Sequence, residues 1–150
     1  MKKSVFFSVL MLLTASIFAQ SNKKVDWTFS SKKIDSKTYE VKMIANIKGN
    51  YHIYAQNAGE GPVPTSFAFN RNPLLTLDGK PKEIGKVKKV YEEAFSSEVK
   101  YYEKSVEFVQ LVKVKGSAKS KLAGKVEFMV CNDTECLPPA TVDFSVNIGG

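Results

Sequence analysis

Apolar and polar residues alternate with a period of two through most of this chain. In "KTYEVKMIANIKG", Tyr39, Val41, Met43, Ala45 and Ile47 fall on one face, while Glu40, Lys42 and Asn46 fall on the other. Successive side chains of an extended backbone point to opposite sides, so this run predicts a half-buried strand. "VDWTFSSKKI" before it offers Val25, Trp27 and Phe29 to one face. "SVEFVQLVKVKG" alternates Val106, Phe108, Gln110, Val112 and Val114, and "AGKVEFMVC" alternates Val126, Phe128 and Val130. "TVDFSVNI" sets Val142, Phe144, Val146 and Ile148 against Thr141, Asp143, Ser145 and Asn147. The short aromatic strands "YHIYAQ" and "TSFAFN" flank a Gly/Pro loop, "NAGEGPVPT", and "LLTLDGKP" reads as a strand ending in a turn. The spacing predicts roughly seven to nine short strands and no amphipathic helix, the pattern of an all-β antiparallel sandwich of two packed sheets. Trp27 and the alternating phenylalanines are then core residues.

The first residues do not fit that pattern. Met1-Lys2-Lys3 is basic, "VFFSVLMLL" is an apolar run too short to span a bilayer, and "TASIFAQ" supplies small residues with Ala19. This is the three-part form of a secretory signal peptide, with cleavage expected after Ala19. Residues 20–150 are then a single exported domain, long enough to bury a core without covalent help. The leader contains no cysteine, which argues against a lipid anchor. No second apolar run is long enough to cross a membrane, so the mature chain is expected to be soluble rather than stably inserted.

The formal charge is +7, from 22 Lys+Arg against 15 Asp+Glu, and Lys2 and Lys3 leave with the leader. The remaining excess reads as a lysine-rich surface. Nothing interleaves aromatic and basic residues as a nucleic-acid site would, so no nucleic-acid partner is expected. The densest basic run, "KPKEIGKVKK" from Lys80 to Lys89, fits a solvated loop or an edge strand, where lysines discourage pairing between molecules.

Candidate chemistry is sparse. His52 is the single histidine, so any Ser-His-Asp or Cys-His arrangement must use it. It lies on an apparent strand far in sequence from the cysteines, where a packing or surface role is the ordinary expectation. Two cysteines and one histidine do not supply a structural zinc site, and no glycine-rich phosphate loop occurs, so neither a metal nor a cofactor is expected. Glu92 and Glu93 are adjacent on an extended chain and point apart, which disfavours a paired acid and base. Asn132-Asp133-Thr134 matches the glycosylation sequon, a frequent chance match.

Cys131 and Cys136 remain, in "VCNDTECLPP". In an exported protein two cysteines are expected to oxidise together. A structural staple is one reading. The chain-entropy model gives a loop this short only roughly 2 kcal/mol, less than a bridge between distant strands. The pair also lies at the connection between two predicted strands, where a sheet meets solvent, and Pro138 and Pro139 stiffen the exit. A short accessible disulfide in a rigid setting suits thiol–disulfide exchange. Asp133 and Glu135, if close, disfavour the thiolate and point to a relay that reacts only inside a complex.

"EFMVCNDTECLPPATVDFSV" resembles the active-site hairpin of the amino-terminal periplasmic domain of DsbD, the transmembrane thiol:disulfide reductase. Cys131, Cys136, Leu137, Pro138 and Pro139 fit that motif. "GNYHIYAQN" resembles the tyrosine-bearing strand beside it, with Tyr51 and Tyr54 as candidates. "YEEAFSSEVKYYEKSVEFV" resembles the cap loop and the strand after it, with Glu92, Glu93 and Phe95 as cap residues. The resemblance implies an immunoglobulin-like fold and a periplasmic location. It implies a membrane-embedded thiol reductase as electron donor and thioredoxin-like proteins as acceptors. It also implies that Cys136 forms the mixed disulfide, Cys131 resolves it, and Phe95 shields the sulfurs when no partner is bound. Two alternatives stay open. One is a non-catalytic binding or adaptor sandwich with a structural disulfide. The other, more remote, is a metal carrier using the cysteines and the Met129 thioether.

Overall fold

In the computed structural model of the chain, which describes residues 21–117 and 119–149, the alternating runs pair into two antiparallel sheets. The elements are α1 (Ser21–Lys24), β1 (Val25–Lys33), β2 (Thr38–Ile47), β3 (His52–Tyr54), β4 (Ser66–Phe69), β5 (Leu75–Ile84), β6 (Lys88–Glu92), β7 (Ser97–Glu103), β8 (Ser105–Val114), β9 (Ser120–Cys131) and β10 (Cys136–Ile148). One sheet has the order β1-β2-β8-β5; the other runs β10-β9-β3-β7-β6, with β4 also pairing β9. This is the immunoglobulin-like sandwich. The expected leader, residues 1–19, lies outside the described residues.

The inward faces are the ones the period-two pattern assigns. Val41, Met43, Ala45, Phe108, Val112, Val126, Phe128, Val130 and Ile148 are fully buried in one cluster between the sheets. Trp27 sits among them, with its ring 5.4 Å from that of Phe128 and 5.9 Å from that of Phe108. Burying a side chain of this size is worth roughly 1.5–3 kcal/mol, so a handful of these residues sets the stability of the domain.

Three local features depart from the simple pattern. The strand at "LLTLDGKP" does not end at its glycine. β5 continues to Ile84 through a bulge between Asp78 and Lys82. The buried Gln110 amide holds that bulge, donating to the carbonyls of Asp78 and Gly79 at 3.2 and 3.3 Å. Gly79 adopts φ 70°, which only glycine takes without strain. The basic run contributes to β5 and β6, each the last strand of its sheet, as an edge role requires. The four-residue α1 and the β6–β7 hairpin add elements that periodicity did not mark, because β6 has only one half-buried apolar residue, Val90, among its lysines.

Strand β10 carries the departure that matters for the site. Leu137 pairs with Val130 and Ala140 with Phe128, so Pro138 and Pro139 together face the single residue Met129. Proline cannot donate to a ladder, and a bulge is where a sheet tolerates it. The extra residue shifts the alternation by one. Leu137 and Ala140 therefore both face the core, and Cys136 is left on the opposite face.

Candidate functional site

On the outer face of the six-stranded sheet lies a second, smaller apolar cluster. Ile53, Tyr102 and Val130 point into the main core. Their chain neighbours Tyr54, Tyr101 and Cys131 point the other way and join Ala58, Val99, Val90, Phe95 and Met129. Cys131 closes β9 and Cys136 opens β10. The two are cross-strand partners with Cα atoms 4.1 Å apart, joined as a disulfide.

The loop between them is held by its own polar residues. The Asn132 carboxamide oxygen accepts from Thr134 N, Thr134 Oγ1 and Glu135 N at 2.8–2.9 Å, and Asn132 N donates to the Glu135 carbonyl at 2.9 Å. Asn132 is thus the residue that shapes the turn, as short amide side chains do. Glu135 accepts a 2.7 Å hydrogen bond from Tyr51 Oη, tying the loop to the residue before β3.

The sulfurs are not equivalent. Cys131 is 1 % exposed, whereas Cys136 is exposed. Cys136 opens onto a cavity of about 630 Å³, walled on one side by Asn132–Glu135 and on the other by Val90–Phe95, with His52, Tyr101 and Met129 at its base.

The opposite wall is the β6–β7 hairpin. Its turn is closed by Phe95 N and Ser96 N bonding back to the carbonyls of Glu92 and Glu93, at 3.2 and 3.1 Å. Ser96 takes a left-handed φ of 50°. The tip is fastened to the loop after β3, where Ser97 Oγ donates to the Glu60 carbonyl and Lys100 N to that of Ala58, at 2.5 and 2.8 Å. Phe95 packs edge-on to Tyr54, ring centroids 5.9 Å apart, and over Gly61. A methyl at Gly61 would meet the Phe95 ring at 2.7 Å, so the glycine is what allows that approach.

The expected cap residues divide by role. Glu92 turns inward and accepts a 2.9 Å hydrogen bond from the buried Tyr54 phenol. Burial and this carboxylate push Tyr54 well above the usual phenol range, so it stays a donor. Glu93 is exposed in the turn itself, at the rim of the cavity, and makes no side-chain hydrogen bond to Tyr54. Phe95 lines the cavity with Cys136 but leaves that cysteine exposed. Tyr51 packs against the main core and reaches the site through Glu135. Leu137 anchors the hairpin in the core, and Pro138 and Pro139 make the bulge.

His52 is the site residue that sequence reasoning passed over. Strand β3 inserts beside β9 so that His52 is the direct partner of Cys131. Its ring stacks on Tyr101 at 4.1 Å between centroids, and its Nε2 lies 3.3 Å from Tyr54 Oη and 3.6 Å from Glu92 Oε1. Burial holds its pKa below the ordinary imidazole value, against the opposing pull of Glu92 and Glu103. Among the described residues no group of three or more His, Cys, Asp or Glu is arranged to hold a metal ion. No helix among them is long and apolar enough to cross a membrane.

One disulfide with a buried and an exposed cysteine suits thiol–disulfide exchange. The comparisons with known proteins give the family. The model for "Thiol:disulfide interchange protein DsbD, N-terminal" matches residues 19–148, and the chain belongs to that family. Among solved structures, the reduced DsbD N-terminal domain of Neisseria meningitidis is similar over 87% of this chain and 90% of that one, with TM-score 0.58 and 16% identity. The N-terminal periplasmic domain of ScsB from Proteus mirabilis is similar over 83% of this chain and 44% of that one, with TM-score 0.50 and 16% identity. At these identities the likeness is one of fold. No curated protein sequence matches the chain.

Proposed function

We propose that this domain works in the periplasm as an electron relay, passing reducing equivalents through Cys131 and Cys136 to thioredoxin-like proteins. The unequal exposure of the two cysteines carries this reading. Exchange proceeds by attack of a thiolate on a disulfide, so the incoming partner must reach one sulfur and be released by the other. In the reduced domain the exposed Cys136 attacks the partner's disulfide and forms the mixed disulfide. The buried Cys131 then displaces the partner. The partner leaves reduced and the domain is left oxidised, to be recharged by a membrane-embedded thiol reductase. Phe95, on the facing wall, restricts access of other thiols. Residues 1–19 serve as the export signal and are removed.

The test is covalent trapping in the cell envelope. A Cys131→Ser domain retains the attacking sulfur and lacks the resolving one. It is expected to accumulate disulfide-linked thioredoxin-like partners that reductant releases, whereas Cys136→Ser accumulates none. If neither variant captures a partner and the disulfide's potential lies below about −300 mV, the bond is structural and the adaptor reading takes its place.

A further inference from the structure

We propose that His52 is the base that takes the proton from Cys131 when the mixed disulfide is resolved. This rests on the relay reading above and adds the step it lacks. Cys131 is 1 % exposed, so its thiol cannot hand a proton to bulk water directly. A buried thiol that must become a thiolate needs a proton acceptor beside it.

The register supplies one. Residues directly opposite on antiparallel strands point to the same face with Cβ atoms about 4.5–5.5 Å apart, and His52 is directly opposite Cys131. The hydrogen bonds also decide which ring nitrogen is free. Tyr54 gives its one proton to Glu92 Oε2, so Tyr54 Oη can only accept from the imidazole. Both oxygens near Nε2, those of Tyr54 and Glu92, are therefore acceptors, and Nε2 carries the hydrogen. Nδ1 is then the bare nitrogen. Among the described residues no hydrogen bond to it is seen, which leaves its lone pair free to take a proton.

The surroundings suit a group that is neutral at rest and charged for a moment. Tyr54 lies on the histidine's own strand, and Tyr101 and Glu103 face it from β7. Glu92 and Lys88 face it from β6, and Asp133 from the cysteine loop. Desolvation keeps the ring unprotonated, and the Glu92 carboxylate beyond Nε2 steadies the imidazolium once it forms.

The step balances without an outside reagent. In the mixed disulfide Cys136 Sγ is bonded to the partner's sulfur and Cys131 is a thiol. The Cys131 proton moves to Nδ1 and the thiolate attacks Cys136 Sγ. The Cys131–Cys136 bond forms as the bond to the partner breaks, and its electron pair leaves on the partner's sulfur. That thiolate takes up the proton from His52 or from water. The domain's dithiol is oxidised and the partner's disulfide is reduced.

The experiment follows the reduced mature domain reacting with a nitrothiobenzoate disulfide reagent. One chromophore is released when Cys136 forms the mixed disulfide, and a second when Cys131 resolves it. In the native protein the second release is expected to be flat with pH across the neutral range and to fall only below the ordinary histidine value. In His52→Gln, which retains a hydrogen-bonding side chain, it should be about a hundredfold slower at pH 7. It should then rise about tenfold per pH unit toward the ordinary thiol value near 8.5. The loss falls on the second release and not on the first. Glu92→Gln, which leaves Tyr54 an acceptor but removes the charge, should move the native inflection to lower pH.

A native profile that climbs through the neutral range without a plateau overturns the proposal and needs no variant. So does a His52→Gln profile that superimposes on the native one. Either result leaves the relay standing. The absence of a second release from the native protein sinks both.

Discussion

Among the described residues there are two apolar clusters, and they are built on opposite principles. The one between the sheets is almost wholly hydrocarbon, with Met43, Phe108, Phe128 and Ile148 fully buried. The one under the β6–β7 hairpin also excludes water, since Tyr54 and Val99 are fully buried and Cys131 is 1 % exposed. Yet it is lined with polar and reactive groups: a phenol bonded to a carboxylate, an imidazole and a sulfur. The first cluster is closed by two broad sheets. The second is closed by a single hairpin at a sheet edge, fastened by a few hydrogen bonds at its tip. Close packing that nothing can enter suits a scaffold, whereas a small cluster under a slender cover suits a site that must admit another protein's sulfur.

That contrast can be broken most forcefully in the scaffold. Phe128→Ala is expected to cost about 3–5 kcal/mol, the range for a large buried aromatic, read from denaturant unfolding. Its exchange rate per folded molecule should be unchanged, and a selective loss of exchange would show that the two clusters are not separable.

The cap should respond the other way. Phe95→Ala removes a half-buried ring and is expected to cost only about 1–2 kcal/mol. It should at the same time hasten reduction of the disulfide by glutathione. Gly61→Ala is the sharper variant, because its methyl would meet the Phe95 ring at 2.7 Å and the φ of 106° penalises any side chain. It should reproduce the Phe95→Ala reactivity with the ring still present. Unaltered glutathione kinetics in both variants would remove Phe95 from any shielding role.

The smallest effect is a pH dependence from His52. Its folded pKa lies below the unfolded value near 6.5, so the unfolded chain binds the proton first. Stability is therefore full above that value and falls as the pH drops below it, by at most about 1.4 kcal/mol per unit. Unfolding midpoints between pH 7 and 5 should show this decline, and His52→Gln should flatten it. A stability that rises on acidification would reverse the sign of the argument.

Much of the scaffold is legible along the chain because alternation reports directly which face is buried, from Tyr39 to Ile47 and from Val142 to Ile148. The Cys131–Cys136 disulfide is equally legible, since two cysteines of an exported chain are expected to pair, whereas the bulge that Pro138 and Pro139 make in β10 is seen only in the register. The His52 neighbourhood is not. Its partner Cys131 is brought alongside by β3 inserting next to β9, and that pairing has no local signature. A histidine next to a tyrosine two residues on, both on one strand face, is the signal that was available. The division of Glu92 from Glu93 was legible only in outline, because which of two adjacent carboxylates turns inward depends on the Tyr54 phenol. The hairpin of β6 and β7 escaped periodicity because its lysines face solvent on an edge, where no burial enforces a pattern.

Ser21 donates a 2.6 Å hydrogen bond to the carbonyl of Pro138, two residues past the second cysteine, and is itself 2 % exposed. The first described residue is thus stitched into the cysteine hairpin from the far end of the sequence. An affinity tag or a trimmed start placed just ahead of Ser21 would disturb the reactive loop rather than a remote tail. Recombinant material for redox titration is better marked at its carboxyl end.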